Sequence, residues 1–147
     1  MIQGISVRIM TIGDYPRVFG LWTSTAGMGM RSLDDSEEGI NKFLCRNPST
    51  CFIAELEGEI AGVILSGHDG RRGYIYHAVV RENIRSRGIG RALTEAVEKA
   101  MKKEGINKIA LVVYANNEKG NGFWEHIGYT TREDLTYRNR SINDENL

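Results

Sequence analysis

Cysteine is scarce: 147 residues hold only Cys45 and Cys51, with no C-x-x-C pair and no histidine-rich tract beside them. Such spacing supplies neither a disulfide framework nor a zinc cage, so no metal site is expected and a reducing compartment suits the chain. Proline is equally rare, at two residues, which argues against a collagen-like or proline-rich disordered chain. Net charge is missing as well. Lys plus Arg and Asp plus Glu number 19 each, so no global field draws the protein to nucleic acid or to an anionic membrane. The longest apolar run, Ile109 to Ala115, spans seven residues, against the roughly 20 that a membrane helix needs. Arg8 interrupts the apolar stretch from Met1 to Met10, unlike a secretory signal. The expectation is a cytoplasmic protein with no membrane and no nucleic-acid partner.

What is present is an ordinary globular composition, 41% apolar and 26% charged, at a length that fits one domain. The domain is expected over residues 1–138, followed by a polar, frayed tail over 139–147. Ile5, Val7 and Ile9 alternate with Ser6 and Arg8 as in a half-buried strand. Thr11 and Asp14 have capping-box spacing, and Tyr15, Val18, Phe19 and Trp22 line one helical face. A second helix is expected from Asp35 to Arg46, stopped by Asn47-Pro48. Strands are expected at Cys51–Leu56 and Ile60–Ser66 around the turn Glu57-Gly58-Glu59, and at Tyr74–Val80. Ala92 to Glu104 reads as a helix with Leu93, Ala96, Val97, Ala100 and Met101 inward. Lys108–Tyr114 is a further strand, a helix ends at Gly128, and a last strand is expected over Glu133–Arg138. The resulting order, βααβββαβαβ, is an α/β fold with a mixed sheet and helices on both faces.

Between the strand Tyr74–Val80 and the long helix lies Arg85-Ser86-Arg87-Gly88-Ile89-Gly90-Arg91. Glycines let a backbone approach a ligand, and the first amides of a helix suit a phosphate. A bare tight turn with solvated arginines is the competing reading; the position between strand and helix favours the ligand. The sequence has no G-x-x-x-x-G-K-[ST] loop, and the turn lacks the third glycine of a dinucleotide fingerprint. No aromatic residues interleave with the arginines, which disfavours nucleic acid.

Arg85-x-x-Gly88-x-Gly90 after a buried strand, Asn117, and Phe123-Trp124-Glu125-His126-Ile127-Gly128-Tyr129 together resemble, in that order, the motifs of the GNAT superfamily of N-acetyltransferases. Nearly the whole chain takes part, and its short length and ending look closest to small bacterial YpeA-type members and to the ribosomal-protein alanine acetyltransferases. The resemblance implies acetyl-CoA as cofactor and direct transfer to a primary amine of a small molecule or a protein N-terminus, in a monomer or homodimer. It assigns the pyrophosphate to Arg85, Ser86, Arg87, Gly88, Ile89, Gly90 and Arg91, and the pantetheine arm to Val79, Val80 and Arg81. It further assigns Asn117 to the cofactor, and an oxyanion contact to an amide near Ala78 or Val79. Trp124 stands where the family often has an acid tyrosine, and is expected to wall the pantetheine tunnel. An indole N–H is no acid at neutral pH.

The amine must lose a proton before it attacks, and His77 is the leading base, with Tyr76, His68 and Asp69 behind it. A core histidine bonded to a neighbour is the competing reading of His77. Tyr114 or Tyr137 supplies a candidate acid, or else packs. The acidic run Asp34, Asp35, Glu37 and Glu38 is either a solvated helix start or a lure for a cationic amine. Loss of the acid tyrosine also raises a second possibility, a non-catalytic acyl-CoA-binding sensor.

Overall fold

Period-2 alternation at the start of the chain yields β1 (Ile5–Ile9). The structure, a computed structural model, describes residues 4–147. A 3-10 turn leads into α1 (Tyr15–Thr23), and the Thr11 amide donates to Asp14 Oδ2 at 2.9 Å where the capping box was expected. Ser36 caps α2 (Glu37–Arg46) by accepting from the Gly39 amide at 3.0 Å. β2 (Phe52–Leu56), β3 (Glu59–His68) and β4 (Gly73–Val80) form an antiparallel meander. α3 (Ile89–Lys103) then crosses to β5 (Ile109–Leu111), which pairs parallel with β4, and α4 (Glu118–His126) follows. The sheet order is β1-β2-β3-β4-β5.

Each face of the sheet buries its own core. Val18 and Trp22 of α1 and Ile40 and Leu44 of α2 pack on Ile53, Val63, Leu65 and Val79. On the opposite face Leu93, Val97 and Met101 of α3 and Trp124 of α4 cover Ala54, Ile64 and Ile75. The mixed sheet with helices on both faces is therefore as expected.

Three local expectations are corrected. β5 is three residues long instead of running to Tyr114, because its ladder with β4 stops at Ile75 and Leu111. No strand forms over Glu133–Arg138. Arg132 and Asp134 close a local ion pair at 2.8 Å there, and Leu135 and Tyr137 remain exposed, so the alternation has no buried face to fix a register. The tail is docked instead of frayed: Asn146 Oδ1 accepts from the amides of Leu33 and Asp34 at 3.0 and 3.1 Å.

Where α1 starts against the sheet edge, Asp14 is buried and bidentately held by Arg8 at 2.7 and 3.0 Å, with Arg17 at 3.2 Å. Burial pushes the carboxyl up, but hydrogen bonds from Arg8 and the Thr11 amide outweigh it and hold it at about 2 instead of 3.8. A depressed folded value gives stability that is complete above the unfolded pKa and lost as pH falls through the folded one. The difference corresponds to about 2 kcal/mol. Urea unfolding is expected to show that loss between about pH 4 and pH 2, and Asp14→Asn should remove this portion of the acid sensitivity.

Candidate active site

β4 contains one residue too many for its partner. Leu65 pairs with His77 and Ser66 with Ile75, leaving Tyr76 opposite nothing. In a regular strand Ile75 and Val79 would share a face; here Ile75 packs under α3 and Val79 under α1 and α2. The bulge therefore turns two consecutive side chains to the same side. Tyr76 meets Phe43 of α2, with ring centroids 5.5 Å apart, and His77 meets Trp22 of α1 at 5.0 Å.

At the same point β4 loses its other neighbour, since β5 pairs only with Gly73, Tyr74 and Ile75. Beyond Ile75 the edge of β4 faces a gap. The Arg81 amide donates to Ala61 O at 2.8 Å, and antiparallel alternation then points the amides of Val79 and His77 at β3 and those of Ala78 and Val80 into the gap. Of the expected strand-edge residues Val79, Val80 and Arg81, only Val80 thus presents its backbone there. Its carbonyl accepts from Arg85 Nε at 3.0 Å. Arg81 is turned away, bonded to Glu59 at 3.1 Å and to Asn83 at 3.0 Å.

The gap leads to the glycine turn. Gly88, at φ 85°, is the left-handed N-cap of α3, and Ser86 is also left-handed at φ 66°. Ala92 is bonded back to Gly88 O at 3.0 Å, which leaves the amides of Ile89, Gly90 and Arg91 without intrahelical acceptors. Among the described residues no side chain caps this end. Gly90 has a different task, because a Cβ there would lie 3.0 Å from the Phe123 ring. Arg87 and Arg91 are exposed and make no ion pair among the described residues. Free amides, a helix dipole and unpaired guanidinium groups are together the chemistry that suits a phosphate anion.

On the far side of the sheet His77 Nε2 lies 2.8 Å from Asp35 Oδ1, a contact across 42 residues of sequence. Asp35 is buried, and its other oxygen accepts from the Arg31 amide at 2.7 Å. Its carbonyl accepts from Tyr15 OH at 2.7 Å. The loop that carries it lies directly against α2, because a Cβ at Gly39 would clash with the carbonyls of Leu33 and Asp34. The Asn146 clamp secures the same loop from outside. With Asp35 accepting from Nε2–H, Nδ1 carries the lone pair. Nδ1 bonds to no described residue and is not fully buried. This histidine is bonded to a neighbour, and its other ring nitrogen makes no bond to a described residue.

The remaining candidates are dispersed. Tyr76 is half exposed, and burial, the Tyr137 phenol and Asp34 all raise its pKa above the ordinary 10, which removes it as a base near neutrality. Tyr114 is exposed past the end of β5, on the side of Gly29. Asn117 caps α4 by accepting from the Gly120 amide at 2.9 Å, so its oxygen is engaged and its Nδ2 remains. Trp124 is a core ring, 9% exposed and edge-on to Phe123 and Tyr129; Phe123 is the residue that touches the glycine turn. His68 and Asp69 sit at the far end of β3, where Asp69 caps the Arg71 and Arg72 amides at 2.8 Å. Sequence reasoning missed Asp35 as the partner of His77, and no local signal carries that pairing.

A model of the acetyltransferase (GNAT) family matches residues 18–129. An acetyltransferase of Pectobacterium atrosepticum is 34% identical over 140 residues, covering 95% of this chain and 98% of that protein. Among solved structures, an aminoglycoside acetyltransferase from an uncultured soil metagenomic sample, in complex with sisomicin, superposes with a TM-score of 0.77. It is 20% identical and covers 95% of this chain and 97% of that one. A PaiA N-acetyltransferase from Thermoplasma acidophilum, in complex with coenzyme A, gives a TM-score of 0.72 at 22% identity, over 84% of this chain and 88% of that one. At such identities the structural likenesses bear on the fold.

Proposed function

The chain belongs to the GNAT acetyltransferase family, enzymes that draw their acetyl group from acetyl-CoA, and from that premise we propose that it acetylates a primary amine by direct transfer, with His77 as base. The observation that carries this reading is the coincidence at the β4 bulge of a carboxylate-oriented histidine, an edge of free amides and a gap leading to the glycine turn. When bound, acetyl-CoA supplies an electrophilic thioester carbonyl and a thiolate leaving group. The amides of Ile89, Gly90 and Arg91 hold the pyrophosphate, helped by Arg87 and Arg91. Val80 would guide the pantetheine arm along the gap, and Asn117 Nδ2 would be a further donor to it. The Ala78 amide, facing the gap, is placed to donate to an oxygen that gains negative charge. On the α1 and α2 side, His77 Nδ1 takes the proton of the incoming amine while Asp35 holds the ring and stabilises the imidazolium. Tyr114 would be the hydroxyl that returns a proton to the departing thiolate. A thiol of pKa near ~8.5 also leaves tolerably with solvent as acid.

Release of free thiol from acetyl-CoA, measured with primary amines of different charge and with an alcohol control, tests this. The expected result is amine-dependent release together with a mass gain of one acetyl group on the amine. Acetyl-CoA binding without release across the amines would overturn it in favour of a sensor.

A further inference from the structure

Resting on that amine reading, we propose that the tyrosine-lined mouth beside the β4 bulge is a cation subsite for a second, non-reacting alkylammonium group of the acceptor. The bulge brings Tyr76 onto the same face as His77, where its ring is braced edge-on by Phe43 at 5.5 Å and at a tilt by Tyr74 at 4.7 Å. Despite these two supports Tyr76 is 56% exposed, so much of its ring is presented to solvent. Tyr137 is exposed at 66%, and after burial its phenol is the next influence raising the pKa of both Tyr74 and Tyr76.

A carboxylate stands near these aromatics, since Asp34 directly precedes Asp35, whose Oδ1 lies 2.8 Å from His77 Nε2. Asp34 follows Tyr137 among the influences on Tyr76, and Asn146 Nδ2 holds its Oδ2 at 2.8 Å while Oδ1 bonds to no described residue. Glu37 and Glu38 stand on the next turn without an ion pair among the described residues. Arg31 and Arg140, the basic groups lining grooves at this loop, make no ion pair with these acids. Aromatic faces beside an uncompensated carboxylate attract a cation and repel an anion. Tyr76 and His77 are consecutive, their Cα atoms about 3.8 Å apart, so an acceptor that places one amine at His77 reaches the mouth with a short alkyl chain. The favoured acceptor is therefore a diamine, with one nitrogen reacting and the other held.

Two probes separate this proposal from the transfer chemistry. Choline, which has no primary amine, and its neutral isostere 3,3-dimethylbutan-1-ol are titrated into the full chain saturated with coenzyme A, following tyrosine ring signals by NMR. Choline is expected to move the signals of Tyr74, Tyr76 and Tyr137, whereas the isostere leaves them in place. Asp34→Asn and Tyr76→Leu should each weaken choline about tenfold, and Tyr76→Phe should preserve it, because the ring face is the contact. In turnover, 1,4-diaminobutane should exceed butylamine in kcat/KM by about tenfold or more. Equal binding of choline and its isostere, or equal use of diamine and monoamine, would overturn the subsite. Choline binding with no amine acetylated would leave the subsite standing and overturn the amine reading.

Discussion

Acetyl-CoA at about 100 times its dissociation constant is expected to raise the melting temperature of the protein by roughly 6–12 °C, and Gly88→Val to reduce that rise to near zero. The first figure follows from about 2.7 kcal/mol of ligand stabilisation on a domain of this size. The second follows from Gly88 being the left-handed N-cap of α3, at φ 85°. Valine resists that conformation by about 1–2 kcal/mol. A shift of the turn would misdirect the amides of Ile89 to Arg91, and the added branch stands where a pyrophosphate approaches. Each variant is read against its own unliganded baseline, so lost stability does not imitate lost binding. Gly105 provides the matched control. It too is left-handed, at φ 79°, with open space around it, and it lies beyond the far end of α3. Gly105→Val should carry a similar backbone cost yet keep the full rise. A full rise in Gly88→Val would remove the glycine turn from the cofactor site.

The second large effect is expected from one oxygen-to-nitrogen exchange. In Asp35→Asn the side-chain oxygen is kept by the Arg31 amide, which already donates to Oδ2 at 2.7 Å. The new NH2 group then faces His77 Nε2, where the carboxylate oxygen stood at 2.8 Å. Nε2 must accept, the ring proton moves to Nδ1, and the lone pair needed there is lost. The expected result is a fall in kcat of roughly 10²- to 10³-fold, within the range that general-base catalysis supplies. KM for the amine and the acetyl-CoA-induced melting shift should stay near wild type. His77→Gln should fall as far, and the double variant no further, because the two residues act as a unit. Activity retained within a few-fold in Asp35→Asn would dismiss the pair as a structural contact.

Local chemistry explains why so much of this was legible beforehand. The glycine turn could be read because it consists in a backbone conformation that Gly88 permits whatever surrounds it. The 3.6-residue periods of α1 and α3 were legible for the same reason, since each repeats over several turns and buries one face. The bulge at Tyr76 was not. The run from Tyr74 to Val80 is aromatic, β-branched or small apart from His77 and shows little alternation, so nothing in it marks where alternation breaks. Asp35 was visible only as one acid in an acidic run, and its pairing with His77 depends on loop closure across 42 residues. Glu133–Arg138 failed in the opposite sense. Its alternation is genuine, but no partner strand lies beside it and neither face is buried.

By itself, then, the sequence determined the helices, the mixed sheet and the glycine turn, because each rests largely on neighbours within one helical turn or one strand. Tertiary structure alone decided the geometry of the proposed site: which amides of β4 face the gap, that Tyr76 and His77 share a face, and that Asp35 reaches His77. Those features depend on the register between strands and on the closure of a loop held by Gly39 and Asn146. Register and closure are properties of contacts between distant segments, and no short stretch of this chain encodes them.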